Sequence, residues 1–197
     1  MRRIAAGTIA LLFILCGAAQ ALDRVVIDPG HGGFNKGGSY GTVYEKHLAL
    51  DVARRLEIYL KRNGVQTVMT RTRDNYISLP GRVEIGNRYR DAVFVSIHFN
   101  WASNSRASGL ETFYCGSAGN ELANYIHAST VNHTRASNRG VKFARFHVLR
   151  HSSRPACLVE CGFLSNSSER RKCLDPGYRQ RLAEGIGRGL VYYLKRH

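Results

Sequence analysis

Four side chains of chemically competent types stand where short apolar runs end. His31 follows residues 24–28 (RVVID) and the turn Pro29-Gly30. His98 closes residues 92–98 (AVFVSIH), and Glu160 lies inside residues 157–163 (CLVECGF). Glu45 opens an amphipathic stretch that runs to Asn63. Two imidazole nitrogens and a carboxylate oxygen make the donor set of a catalytic zinc site, which keeps a fourth position open. Zinc held this way brings the pKa of bound water to about 7, and a carboxylate off the metal can then move the protons. The assignment is therefore His31, Glu45 and His98 on one Zn²⁺ per chain, with Glu160 as general base and acid.

Each of these residues also has a plainer role. A histidine after a strand is commonly a loop residue, and a glutamate at a helix start is favoured by the macrodipole. Glu160 is the most telling, because a carboxylate inside an apolar strand is costly unless it is paired or faces a metal. His47 is the substitute ligand should Glu45 not serve. His127, His133, His147, His151 and His197 read as surface or packing residues.

These groups need a scaffold that brings distant segments together. Residues 24–28, 65–70, 92–98, 109–114 and 157–163 read as strands, several of them without the polar alternation of a one-sided sheet. Residues 45–63, 78–89, 120–132 and 178–194 read as helices from apolar spacing and stop signals such as Asn63-Gly64. Alternating strands and helices predict an α/β fold, a single domain with a mainly parallel twisted sheet and helices on both faces. Ligands of such sheets sit beyond the carboxyl ends of the strands, where His31, His98 and Glu160 fall, with Glu45 at the same edge. The Gly-rich loop at 29–41 is no phosphate cradle, since Asn35 breaks both the Walker and the G-x-G-x-x-G spacing.

The chain has 197 residues, 29 Lys plus Arg against 14 Asp plus Glu, and a formal charge of +15. That excess points to a polyanionic partner. Met1-Arg2-Arg3, the apolar residues 4–15 and Ala19-Gln20-Ala21 form the three-part export pattern, with cleavage expected after Ala21. The apolar run is shorter than the ~20 residues of a spanning helix, which disfavours an uncleaved anchor. Leu15 before Cys16 disfavours a lipoprotein. The expected organisation is a signal peptide at 1–21 and one catalytic domain at 22–197. Localisation is then periplasm, cell wall or outside, with no membrane span after cleavage. Two arginines leave with the signal, so 27 basic residues face 14 acidic ones, a charge of +13. Export removes nucleic acid as the expected partner and leaves an anionic envelope surface. Of five cysteines, Cys115, Cys157, Cys161 and Cys173 remain. Pairings of Cys161 with Cys173 and Cys115 with Cys157 are open, as are buried reduced thiols.

The runs VVIDPGHGG (25–33), YEKHLALDVARRLEIYLKRNGV (44–65), MTRTRD (69–74), LPGRVEIGN (79–87), DAVFVSIHFN (91–100), GLETFY (109–114) and PACLVECGFLSN (155–166) stand in order along the chain. Together they resemble the zinc-dependent N-acetylmuramoyl-L-alanine amidases of the AmiA/AmiB/AmiC- and CwlC-like group, Amidase_3. The resemblance covers about residues 24–194. It implies zinc on His31, Glu45 and His98 and a catalytic Glu160, in agreement with the reading from sheet geometry. It also implies the substrate: peptidoglycan, cut at the amide between the lactyl group of N-acetylmuramic acid and the L-alanine of the stem peptide. Three departures stand out. Cys157 and Cys161 replace aliphatic residues, which would allow a disulfide tether on the active-site strand. Phe99 replaces a small residue, which predicts a narrowed groove. The short segment 115–119 leaves no room for the autoinhibitory helix that some relatives insert there. A monomer without a wall-binding module is expected. The alternatives are a zinc peptidase or deacetylase and a catalytically inactive wall-binding protein.

Overall fold

The computed structural model describes residues 22–197, and the export segment at 1–21 lies outside them. In chain order the elements are β1 (Arg24–Pro29), β2 (Ser39–Tyr40), β3 (Val43–Tyr44), α1 (Glu45–Arg62), β4 (Gln66–Met69), α2 (Leu79–Asn87) and β5 (Ala92–Asn100). Then follow β6 (Leu110–Tyr114), α3 (Ser117–Thr134), β7 (Asn138–Phe143), α4 (His147–Arg150), β8 (Ala156–Phe163), α5 (Ser167–Leu174) and α6 (Pro176–Leu194).

Buried apolar strands that carry no polar face must be covered twice, and that is what the layers show. Six strands form one sheet in the order β4-β1-β5-β8-β6-β7. The β4, β1, β5 and β8 strands are mutually parallel, and β6 turns antiparallel against β8. On one face α1, α3 and α6 pack Leu48, Val52, Leu56, Ile126, Ile186 and Leu190 against Val25, Ile27, Val93 and Val95. On the other face Val83 and Ile85 of α2 and Val148 and Leu149 of α4 cover Val26, Phe94 and Leu158. The expected α/β architecture with helices on both faces is therefore the observed one. A fully buried Leu contributes about 1.5–3 kcal/mol. The stripe along α1 thus fixes the helix on the sheet and, with it, the position of Glu45 at its first residue.

Chain direction places the site. From β1 the chain leaves through α1 to β4, on one side of β1. From β4 it returns through α2 on the opposite face to β5, on the other side of β1. The connections therefore diverge between β1 and β5, the crevice where open α/β sheets bind ligands.

Several elements were not expected. The β2–β3 hairpin, β7, α4 and α5 are all short or polar. Helix α3 begins at Ser117, three residues ahead of its expected start. Helix ends follow local chemistry. Ser78, Asn166 and Asp175 each accept backbone N–H bonds at the starts of α2, α5 and α6, and Pro176 occupies the first position of α6. Cys115 and Gly116 alone join β6 to α3. The four cysteines of the described chain are free thiols. Cys157, Cys161 and Cys173 serve as small apolar core residues, and burial pushes the Cys173 thiol up to about 12. No described helix is long and apolar enough to cross a membrane.

Candidate metal and catalytic site

The site begins at the carboxyl end of β1. Asp28 is buried there and accepts hydrogen bonds from Thr70 Oγ1 (2.6 Å), Ser96 Oγ (2.7 Å) and Arg82 Nη1 (2.7 Å). Beyond it the backbone turns sharply, and His31 has φ +58°, a left-handed conformation costly for a residue with a side chain. Two buried arginines hold this turn. Arg82 donates to Pro29 O (2.7 Å) and His31 O (2.6 Å). Arg71 donates to Pro29 O (3.0 Å), Gly30 O (2.6 Å) and Lys46 O at the start of α1 (2.9 Å). Each carbonyl from 29 to 31 thus has a guanidinium donor. Burial and the neighbouring Arg82 pull the Arg71 guanidinium down to about 10, so it stays charged at neutral pH.

The imidazole of His31 is aimed by Asn35, whose Oδ1 lies 2.9 Å from Nδ1. Its Nε2 then sits 3.1 Å from Glu45 Oε2. His98 Nδ1 lies 2.7 Å from Glu45 Oε1. One ligand atom from each of His31, Glu45 and His98 falls within 4.8 Å of the others, a spacing one metal ion can bridge. Glu45 also accepts the backbone N–H of Gly38 (2.7 Å) and of Phe99 (3.0 Å), so both oxygens are fixed. Burial pushes the Glu45 carboxyl up, but the hydrogen bonds from His31 and His98 outweigh it and hold the group well below the usual carboxylate range. For His31, burial lowers the pKa and the bond to Glu45 more than reverses it, leaving the imidazole raised.

The space around these atoms depends on two glycines. A Cβ at Gly30 would overlap the His98 ring. A Cβ at Gly37, which has φ +70°, would overlap Glu45 Oε2 and His31 Nε2. Backbone without side chains therefore approaches the cluster from two sides.

Glu160 pairs with His98 across β5 and β8. Its Oε2 is buried and has no hydrogen-bond partner among the described residues. Burial first, then the charges of Glu45 and Glu111, push its carboxyl well above the usual range. A buried carboxyl oxygen without a partner is costly, and such orphans concentrate at functional sites. All four residues open into one cavity of about 460 Å³, with Tyr76, Leu79, Trp101, Phe146 and His147 on its walls.

The residues read from sequence thus meet: His31, Glu45 and His98 form the cluster, and Glu160 shares their cavity. His47 does not join it. Its side chain is 54% exposed and faces Asp74 at 3.4 Å. His127 is buried between Thr112 and Asn138, His133 pairs with Glu184, and His197 faces Glu121. His147, expected at the surface or in packing, stands in the cavity wall. Phe99, expected to narrow the groove, is among the residues that line the cavity, although it is nearly fully buried. Alternation along β5 turns Phe99 away from the His98 face, and it is buried in the core. The exposed aromatics of the groove are Tyr76, Trp101 and Phe146.

The supporting residues Asp28, Arg71, Arg82, Asn35 and Glu111 were not singled out from sequence. Glu111 lies opposite Glu160 on β6 and accepts from Asn100 Nδ2 (2.7 Å), Arg139 Nε (2.8 Å) and Lys142 Nζ (2.5 Å). The two arginines carry the nearest thing to a signal. They fall in the MTRTRD and LPGRVEIGN runs.

Comparison with known proteins agrees with this geometry. The family described as N-acetylmuramoyl-L-alanine amidase, Amidase_3, matches residues 25–192. The chain is 34% identical over 199 residues to protein YqiI of Bacillus subtilis, covering 98% of this chain and 96% of that one. It is 32% identical over 177 residues to N-acetylmuramoyl-L-alanine amidase LytC of the same organism, covering 88% of this chain but 36% of LytC. Among solved structures, an N-acetylmuramoyl-L-alanine amidase from Clostridium difficile 630 superposes with TM-score 0.85 at 40% identity, over 90% of this chain and 98% of that one.

Proposed function

We propose, from the premise that this chain belongs to the N-acetylmuramoyl-L-alanine amidase family, that it is a zinc-dependent hydrolase of peptidoglycan. The bond cut is the amide between the lactyl group of N-acetylmuramic acid and the L-alanine of the stem peptide. The observation that carries the reading is the juxtaposition of two kinds of site. One is the His31–Glu45–His98 cluster, with its ligand atoms within 4.8 Å. The other is the partnerless Oε2 of Glu160 in the same cavity.

The donor set fits zinc: two imidazole nitrogens and one ionised carboxylate leave a fourth position for substrate or water. His31, Glu45 and His98 would hold it. When bound, zinc would polarise the amide carbonyl and bring the pKa of water toward about 7, and its charge would favour the ionised form of Glu160 that burial, Glu45 and Glu111 disfavour. The protein's own work is proton transfer and positioning. Glu160 Oε2 takes the proton of the attacking water and returns it to the departing alanine nitrogen. Its lack of any other partner leaves that oxygen free for both transfers. Asn35 sets the His31 ring, the Gly38 and Phe99 amides set Glu45, and the two arginines keep the His31 turn in its strained conformation.

Residues 1–21 are proposed as a cleaved export signal. The exported domain would then act as a monomer on the wall, its positive charge holding it to anionic envelope polymers. Mass spectrometry of peptidoglycan digested with the protein, with and without added zinc, tests the function. Zinc-dependent release of stem peptides with a free L-alanine amino terminus is expected. Intact lactyl amides, or cleavage within the stem, would overturn it.

A further inference from the structure

Trp101 is the single tryptophan of the chain, and it stands at the mouth of the cavity with 53% of its surface exposed. Exposing so large an apolar ring has a hydration cost, and rings left exposed beside a cavity mark a binding surface. Its base is rigid. The Trp101 N–H donates to Asn100 Oδ1 (2.8 Å), and the next amide, Ala102 N–H, donates to Ser165 Oγ (3.1 Å). The Cβ of Trp101 lies against Gly38, the residue whose amide holds Glu45. The backbone that carries the ring is therefore mounted on the same frame as a proposed metal ligand. Tyr76 and Phe146 also line the cavity and are themselves exposed, and Phe34 stacks on Tyr76 at 4.4 Å.

Charge selects the occupant. Among the described residues that line the cavity, the one guanidinium or ammonium group is Arg82, which is engaged by Asp28, Pro29 and His31. Nearby Arg71 and Lys46 are likewise held, by backbone carbonyls and by Asp74. The lining therefore offers flat apolar faces and the Nδ2 amide of Asn35, Asn100 being engaged by Glu111 and the Trp101 N–H, with no free cation among the described lining residues. Stem peptides carry carboxylates, which need cations. The glycan strand is uncharged wherever its lactyl carboxyl is in amide linkage. Its pyranose rings present apolar C–H faces edged by hydroxyl and acetamido groups. Such faces pack on aromatic rings, and the edges hydrogen-bond to amides.

Resting on the amidase reading above, we propose that Trp101 is a saccharide platform, its exposed face stacking on an N-acetylated pyranose of the glycan strand whose lactyl amide enters the cavity. The full chain is titrated with a peptide-free N-acetylglucosamine–N-acetylmuramic acid oligosaccharide whose lactyl carboxyls are capped as primary amides, so that it carries no charge, reading the fluorescence of the chain's single tryptophan. A saturable blue shift is expected, and none with a sugar-free lactoyl stem peptide. In parallel, Trp101→Ala should raise KM for a muramoyl-peptide about tenfold with kcat kept, which is about 1.4 kcal/mol of binding. Trp101→Tyr should restore most of it, which separates lost stacking from a damaged fold. No spectral response to the oligosaccharide, or a response to the sugar-free peptide alone, would overturn the platform. Failure of the wild-type protein to release L-alanine amino termini would instead overturn the amidase reading, and the fluorescence titration is independent of it.

Discussion

Arg82→Met is the sharpest test of how this fold holds its chemistry. The guanidinium is 3% exposed and makes four bonds, to Asp28 Oδ1, Pro29 O, His31 O and Ile77 O. Met fills much of the volume but donates nothing. Breaking a buried ion pair by removing one partner costs about 3–5 kcal/mol, because the other charge stays buried. Asp28 keeps Thr70 and Ser96, and Pro29 O keeps Arg71, which argues for the lower half of that range. The His31 carbonyl loses its guanidinium donor, which adds about 1–3 kcal/mol. A total of about 4–7 kcal/mol lies at the low end of an ordinary stability of about 5–15 kcal/mol, so a weakened fold remains to be measured. Urea unfolding should show a lower midpoint at unchanged slope. The strained His31 turn should relax at the same time, and zinc affinity by chelator competition should fall about 10–100-fold, as for other groups that orient a ligand from behind. Arg82→Lys keeps the charge but cannot span four acceptors, so it should lose about half as much stability, roughly 2–3 kcal/mol. A change under about 1 kcal/mol in Arg82→Met with native zinc affinity would refute the clamp, since surface substitutions alone reach that size.

Other expectations follow from the same geometry. Glu160→Gln should keep zinc, read by metal analysis, and lower turnover about 10²–10⁴-fold, the usual share of a general acid–base group; loss of zinc in this variant would move Glu160 into the ligand set. Gly30→Ala places a Cβ on the His98 ring and should cut zinc affinity at least about tenfold, while the far-ultraviolet circular dichroism stays native. Asp51 on α1 accepts from Arg55 (2.8 Å) and Arg179 on α6 (2.5 Å), and these bonds outweigh burial to hold its pKa below the ordinary value. A depressed folded pKa gives stability that is present above the unfolded pKa of about 3.9 and is lost as pH falls through the folded one. Asp51→Asn should therefore narrow the stability gap between pH 7 and pH 3 in urea titrations.

How much of this was legible in the sequence depends on which force placed each residue. The strands β1, β5 and β8 were legible because double coverage makes them continuously apolar, and α1 because its buried stripe repeats at helical spacing. Their ends then located His31, His98 and Glu160. The β7 strand (NRGVKF) was not legible. It lies at the sheet edge, and its Arg139 and Lys142 are there to meet Glu111, a contact that depends on the long-range pairing of β6 with β7. Helix α4 has four residues, too few for a period. Phe99 was legible as a residue bordering the cavity, but not as a core residue, because that depends on strand alternation and on what covers the sheet.

Arg71 and Arg82 were illegible for a deeper reason. A buried arginine is an exception to composition rules, explained only by acceptors that it meets in three dimensions. The acceptors here are carbonyls of one turn, and that turn is strained because His31 must leave the line of β1 to reach Glu45. The central strand order β1-β5-β8 supplies the remaining constraint. It sets His31, His98 and Glu160 at three adjacent strand ends, with α1 bringing Glu45 back over them. His98 and Glu160 are placed by strands alone and Glu45 by the first residue of α1. His31 is placed by neither, because it lies past the end of β1 with its backbone at φ +58°. The site therefore needs one built-in distortion, and two of the chain's buried cations are gathered where that distortion is.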